Sequence, residues 1–243
     1  MISECIQALA EKESFSRQDF FQVFREKGFE SGEESLKKRL QKMLNVGAIV
    51  RVGRNAYCVP AKGMSQYEYQ YSNTSNDVAG IIKENHPYLE FLIFELFQLN
   101  EFVNHQLAHN IIFVSVESEI MDFIFDTLKK TYPGKVLLNP TPEVFHQYWV
   151  DNMIVVTKMI TESPKGRQQK WHTRIESILV DLMTEPLLQE SISESEYAAI
   201  FECAFTKYVV EESCLFRYAK RRAADKKIKR FIKEETRSTL RTE

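Results

Sequence analysis

The side chains best equipped to bind another molecule lie between residues 31 and 62, where 7 Lys/Arg stand against 2 Asp/Glu. Lys and Arg donate to phosphate oxygens, and the amides of Asn and Gln can pair with the edge of a purine base. This combination predicts contact with double-stranded DNA. The candidate residues are Lys37, Lys38, Gln41, Lys42, Asn45, Arg51, Arg54 and Asn55.

The spacing of apolar residues in the same segment predicts which of these side chains are exposed. Apolar residues recur every three or four positions from Leu36 through Leu40 and Met43 to Leu44, which predicts a helix with one side on a core. The opposite side then faces outward, although a charged helix face can also be merely solvated, and that alternative stays open. The outward residues are Lys38, Gln41, Lys42 and Asn45, with Lys37 on the flank.

The elements around this helix predict a winged helix-turn-helix over residues 1–62. A first helix is expected near the N-terminus, and a second should begin after Ser16, with Asp19 completing a capping box, and end near Gly28. Ser31 should open the third helix. Two β-prone runs at 49–52 and 56–60 flank a turn at 53–55, which predicts a hairpin that carries Arg51, Arg54 and Asn55.

A second basic cluster lies near the C-terminus, where Asp225 is the sole acidic residue between 217 and 233. Apolar residues are interleaved with the cations, so we expect an amphipathic helix whose cations are either solvated or in contact with phosphate. The residues considered for phosphate contact are Arg217, Lys220, Arg221, Arg222 and Lys226.

The rest of the chain predicts an α+β protein with two further parts. Strands and helices alternate over 75–165, which indicates a small α/β domain. Residues 170–243 predict helices packed on that domain, at about 172–183, 193–210 and 212–235. The polar stretch 61–76 is expected to be a linker, with room for a short ordered piece.

Charge is unevenly distributed along the chain, although the net charge is only −2. Residues 1–63 hold 11 Lys/Arg against 8 Asp/Glu, residues 64–163 hold 5 against 13, and residues 164–243 hold 16 against 13. The basic ends can attract phosphate groups, whereas the acidic middle repels them. Scattered cysteines and the lack of an apolar run or a signal-peptide pattern predict a cytoplasmic protein without membrane contact.

Catalytic motifs are absent from the sequence, so we expect no enzyme activity, no catalytic residues and no cofactor. There is no phosphate-binding Gly-rich loop and no GxSxG motif. An acidic-x-Lys pattern of the nuclease type occurs at Asp225-Lys226-Lys227, but in the basic helix rather than on a core strand. Two rival functions remain open: a nuclease or nucleotidyltransferase that uses the α/β domain, and a winged-helix adaptor that binds protein.

Four segments of the chain stand out as a set, namely RVGRNAYCVP at 51–60, LNEF at 99–102 followed by the predicted strand at 111–116, ILVDL at 178–182, and RYAKRR at 217–222. They resemble segments of the AbiEi-type antitoxins, the transcriptional regulators of type IV toxin–antitoxin (abortive infection) loci. In the first segment Asn55 stands where the family usually has Gly, and Asn tolerates the positive φ of such a turn.

This resemblance implies a DNA-binding repressor of its own operon. It also implies a partner gene that encodes a nucleotidyltransferase-like toxin, opposed functionally rather than through a stable complex. The α/β domain would be a degenerate restriction-endonuclease-like core.

Three residues with metal-binding side chains recur at intervals of four along the sequence. Glu101, His105 and His109 would share a helix face if their segment were helical. No evident fourth ligand accompanies them, so we expect a polar surface stripe and no metal.

The metal expectation is tested by heating the purified protein with and without a chelator. A structural zinc contributes several kcal/mol to folding, so its removal would lower the melting temperature strongly. We expect the melting temperature to stay the same and metal analysis to find no stoichiometric zinc. A drop of more than about 10 °C would refute this, since ~1 kcal/mol shifts the midpoint by only a few degrees in a chain of this size.

Overall fold

The computed structural model describes residues 2–29, 32–61, 63–103 and 105–241, and these form a mixed α and β structure. No helix in those ranges is long and apolar enough to cross a membrane. Ser31, the predicted cap of the third helix, falls outside the described residues.

The N-terminal unit (residues 2–61) consists of three helices followed by a hairpin, as the sequence predicts. Its core is rich in aromatic side chains, among them Phe20 and Phe24, which stack with ring centroids 4.4 Å apart. Phe15 adds one isolated antiparallel bridge to the hairpin, because its backbone exchanges both hydrogen bonds with Tyr57. The elements are α1 (Ile2–Ala10), α2 (Arg17–Glu26), α3 (Glu33–Asn45), β1 (Val50–Gly53) and β2 (Ala56–Cys58).

A four-stranded sheet occupies the middle of the described chain. Its strands are β3 (Leu92–Glu95), β4 (Ile111–Val116), β5 (Val136–Leu138) and β6 (Met153–Lys158). They lie in the order β3-β4-β6-β5, where β3 is antiparallel to β4 and the other pairs are parallel. The apolar run at 89–99 divides into a strand and a 3-10 turn. The helices of this part are α4 (Asn73–Asn85), α5 (Met121–Thr131) and α6 (Pro142–Tyr148).

Both faces of this sheet are covered. Ile112 and Val114 lie on the face that packs on α4 and α5. Ile111 and Phe113 lie on the other face, which packs on the C-terminal helices. A strand that is apolar on both sides requires such a three-layer arrangement.

The C-terminal helices differ from the sequence prediction in two ways. An unpredicted short helix, α8, follows α7, and the single helix expected at 212–235 is broken at Ala223, whose φ is 52°. The break lets α10 pack on α7 and β1 while α11 packs on α9, which one straight helix could not do. The helices are α7 (Ile175–Leu182), α8 (Pro186–Ser191), α9 (Tyr197–Lys207), α10 (Glu212–Arg221) and α11 (Asp225–Glu235).

The linker prediction for residues 61–76 is wrong. Residues 64–71, the extended segment, pack against the body of the protein, and the backbone of Ser65 pairs with the chain at 207–209. Tyr71 is only 6% exposed; its hydroxyl donates to the Ile93 carbonyl at 2.8 Å and accepts from the Thr173 amide at 2.9 Å. Tyrosines at alternate positions share one face of an extended chain, and that face packs inward, with Tyr71 buried and Tyr67 and Tyr69 half-buried.

We expect Tyr71→Phe to lower the free energy of unfolding by about 1–3 kcal/mol, because the buried Thr173 amide loses its acceptor. Urea denaturation measures this. The matched control is Tyr88→Phe, since Tyr88 is 98% exposed and its hydroxyl should contribute nothing. Equal stability of the two variants would contradict the packed position of the extended segment.

Candidate nucleic-acid interface

A capping box fixes the start of α2, the helix that supports α3. The Ser16 amide donates to Asp19 Oδ2 at 2.8 Å, and the Asp19 amide donates to Ser16 Oγ at 3.2 Å. Lys12 Nζ lies 2.9 Å from Asp19 Oδ1. The hydrogen bonds from Ser16, followed by that from Lys12, hold the pKa of Asp19 well below its usual range.

Burial of one stripe sets the rotation of α3. Leu36, Leu40 and Met43 are buried in the core of the N-terminal unit, whereas Leu44, expected beside them, is only half-buried. The Arg39 guanidinium lies 4.6 Å from the centre of the Phe29 ring. This cation–π contact packs one side of α3 against Phe29. The residues that the sequence places outward are all exposed, namely Lys38, Gln41, Lys42 and Asn45.

Neighbouring side chains already engage some of these residues. Gln41 Nε2 donates to Asn45 Oδ1 at 2.9 Å, so the two amides act as one unit. Lys37 Nζ lies 2.9 Å from Glu34 Oε1 and 3.2 Å from Glu33 Oε1, and these carboxylates raise the pKa of Lys37. We therefore expect Lys37 to attract a phosphate less strongly than Lys38 or Lys42 does, because Glu33 and Glu34 offset its charge.

The tip of the hairpin touches the start of α2. Asn55, at φ 55°, turns the chain, and its Oδ1 accepts from the Arg17 amide at 3.2 Å. Arg51 Nε donates to the Gly53 carbonyl at 3.1 Å, whereas the exposed side chain of Arg54 lies at the tip itself. The exposed residue Arg17 therefore lies beside the hairpin tip and belongs to the same candidate DNA-binding surface. It is not among the residues predicted from the sequence, although its position directly after the Ser16 cap could have indicated it.

The C-terminal basic cluster is not one exposed helix face, because the chain breaks after α10. Arg222 is held against α7 with 15% of its side chain exposed: its guanidinium lies 3.4 Å from Asp181 Oδ1 and 3.1 Å from Glu185 Oε2, and donates to Thr184 Oγ1. Tyr218 donates to the same Asp181 oxygen at 2.8 Å. A phosphate-contacting role for Arg222 does not fit this geometry, because its guanidinium is already bound by α7 and by the link between α7 and α8.

The other members of the cluster remain exposed. Arg221 and Arg217 lie 2.8 and 3.5 Å from the carboxylate of Glu162, which offsets part of their charge. Lys220 on α10 and Lys226 on α11 are exposed on opposite sides of the break.

Glu101, His105 and His109 do not share a helix face. Glu101 ends a 3-10 turn, accepts from the Tyr208 hydroxyl and lies 3.6 Å from Lys207 Nζ. The His109 ring packs on Trp149 instead. Within the described ranges, no three His, Cys, Asp or Glu side chains are grouped so that they could hold a metal ion.

Removal of the Asp19 carboxylate tests the capping box. The depressed pKa means that this group stabilises the fold above its unfolded pKa of about 4 and loses the effect as the pH falls below it. We expect Asp19→Ala to lower stability by up to about 1 kcal/mol at pH 7, and the difference from the parent protein to stay constant above about pH 4 and to shrink steadily as the pH falls below that value. Urea titrations across that range measure it. A difference independent of pH would show that the charge of Asp19 is not involved.

Comparison with curated protein sequences finds no match. Among solved structures, the crystal structure of the RV2827C protein from Mycobacterium tuberculosis is 10% identical, with 98% of this chain and 82% of that chain covered, at a TM-score of 0.27, which is too low to support an argument about fold or function. A family model matches residues 35–238, from within α3 to beyond α11. The chain therefore belongs to DUF6577, a family of unknown function.

Proposed function

We propose that this protein is a sequence-specific DNA-binding regulator of transcription whose residues 2–61 act as a winged helix-turn-helix. The observation that carries the proposal is the outward face of α3. It presents two lysines and a paired set of amides, and the opposite stripe is locked into the core. In a helix-turn-helix the second helix of the pair enters the major groove, and α3 occupies that position after α2.

The paired amides match the major-groove edge of an adenine. Because Gln41 Nε2 is already engaged by Asn45 Oδ1, Gln41 Oε1 remains as an acceptor and Asn45 Nδ2 as a donor. Adenine offers there an N6 donor and an N7 acceptor, so both remaining groups find a partner. The internal hydrogen bond also fixes the two side chains before binding, which reduces the entropy lost on contact.

We expect three exposed cations to contact the phosphate groups. Lys38 and Lys42 flank the amide pair on α3, and Arg54 lies at the hairpin tip beside the start of α2. Arg51 and Lys37 contribute less, since the first is bonded within the hairpin and the second is paired with Glu33 and Glu34.

The resemblance to AbiEi-type antitoxins extends the proposal to repression of the protein's own operon in the cytoplasm, with a nucleotidyltransferase-like toxin as the partner gene product. Two of the segments that carry the resemblance, 178–182 and 217–222, are joined in space through Asp181, Tyr218 and Arg222. Growth of cells that express the neighbouring gene alone or together with this one tests the extension. Equal growth arrest in both cultures would rule out an antitoxin role.

We expect the triple variant Lys38→Ala, Lys42→Ala, Arg54→Ala to lose at least about tenfold in affinity for the DNA upstream of its own gene. The slope of log K against log salt should fall by up to about three, because three phosphate contacts are lost. The matched control removes three exposed lysines of the acidic middle, Lys129, Lys130 and Lys135, and changes the net charge equally. The proposed surface is wrong if both variants bind alike.

Single substitutions separate base recognition from backbone contact in the same titration. Gln41→Ala should cost roughly 1–3 kcal/mol on the specific site and little on random DNA. Arg54→Ala should weaken binding to both DNAs equally. Failure of the parent protein to bind any DNA would leave the adaptor function in its place.

A further inference from the structure

A cavity of about 150 Å³ lies where the extended segment meets the loop before α7. Its walls include the rings of Tyr69, Tyr71 and His172, and the centroids of Tyr71 and His172 are 4.4 Å apart. An apolar cavity of this volume in another protein accepts a benzene ring, so a single flat ring fits.

The cavity offers no net positive charge. Arg174 lies 2.8 Å from Glu176 Oε1 and 3.3 Å from Glu211 Oε2, and Arg167 lies 3.6 Å from the same Glu211 oxygen. Glu68 adds a further carboxylate to the lining. The two guanidinium groups are therefore neutralised by protein, which disfavours a phosphate or another anion.

Its walls are nevertheless rich in hydrogen-bonding groups. The amides of Gln66 and Gln168 line it, and Gln168 donates to Glu68. Each carboxamide carries both donors and an acceptor, so the lining can pair with mixed donor and acceptor groups of a ligand.

We propose that this cavity binds the base of a neutral nucleoside, whose ribose stays outside it. Aromatic side chains provide surfaces on which a base stacks, and carboxamide and carboxylate groups match the mixed donors and acceptors on its edge. A lipid-like ligand would leave the polar walls unpaired, and a sugar would use only the polar part of the lining. Binding here is independent of whether α3 binds DNA.

Isothermal titration of the full chain with adenosine, guanosine, cytidine and uridine tests the proposal. At least one nucleoside should bind with a Kd below about 100 μM, a value typical of a ligand of that size. Its 5′-monophosphate should bind at least about fivefold more weakly, because the added charge is repelled by the carboxylates of Glu68 and Glu176 in the lining. Binding of none of the four, or tighter binding of the monophosphate, would overturn the assignment.

Two glutamines of the extended segment provide a matched pair of variants. Gln66 lines the cavity, whereas Gln70 is exposed and does not. Gln66→Ala should weaken nucleoside binding about tenfold, the loss expected for one hydrogen bond, and Gln70→Ala should change it less than twofold. Melting temperatures check the fold, and Gln168→Ala replaces Gln66→Ala if the latter is unfolded. Equal affinities of the cavity variant and Gln70→Ala would place the ligand elsewhere and refute the site.

Discussion

The pairing of β4 with β6 is the constraint on which the rest of the molecule depends. These strands run parallel over six residues each and are apolar on both faces along most of their length. Water must be excluded from both sides, so α4 and α5 cover one face and the C-terminal helices cover the other. Tyr71 of the extended segment is buried at the edge next to β3, and Tyr69 packs half-buried beside it.

The same C-terminal helices hold the N-terminal unit in place. Val50, Val52 and Cys58 of the hairpin pack on Val209, and β1 lies against α10. The C-terminal tail adds polar contacts, since the Arg241 carbonyl accepts from the Ser14 hydroxyl and its amide donates to Glu212. The two basic ends of the charge pattern are thereby brought into contact, although the acidic middle separates them in sequence.

Several of the basic side chains are not free to bind a ligand, because carboxylates lie close to them. Lys37, Arg222, Arg217 and Arg221 all have carboxylates within 3.5 Å, so the count of Lys and Arg overstates what a phosphate would meet. Exposed pairs of this kind contribute little to stability, yet each reduces the local field. The cations with the clearest exposure on the N-terminal unit are Lys38, Lys42 and Arg54, and the DNA-binding proposal rests on them.

Structural features that depend only on residues close together in the chain could be predicted from the sequence. The period of Leu36, Leu40 and Met43 predicts the outward face of α3, and Ser16 with Asp19 predicts the start of α2. Local spacing and turn chemistry suffice for such features, because the interacting residues lie within about one turn of each other.

The tertiary structure alone decided the features whose partners are distant in the chain. Tyr71 is buried because Ile93 and Thr173 supply its hydrogen bonds, and Arg222 faces inward because Asp181 on α7 and Glu185 just before α8 lie beside it. The break at Ala223 follows from the different surfaces that α10 and α11 must cover. A polar stretch or a basic run looks the same in sequence whether it is solvated or packed, since the energy that separates the two states comes from contacts many residues away.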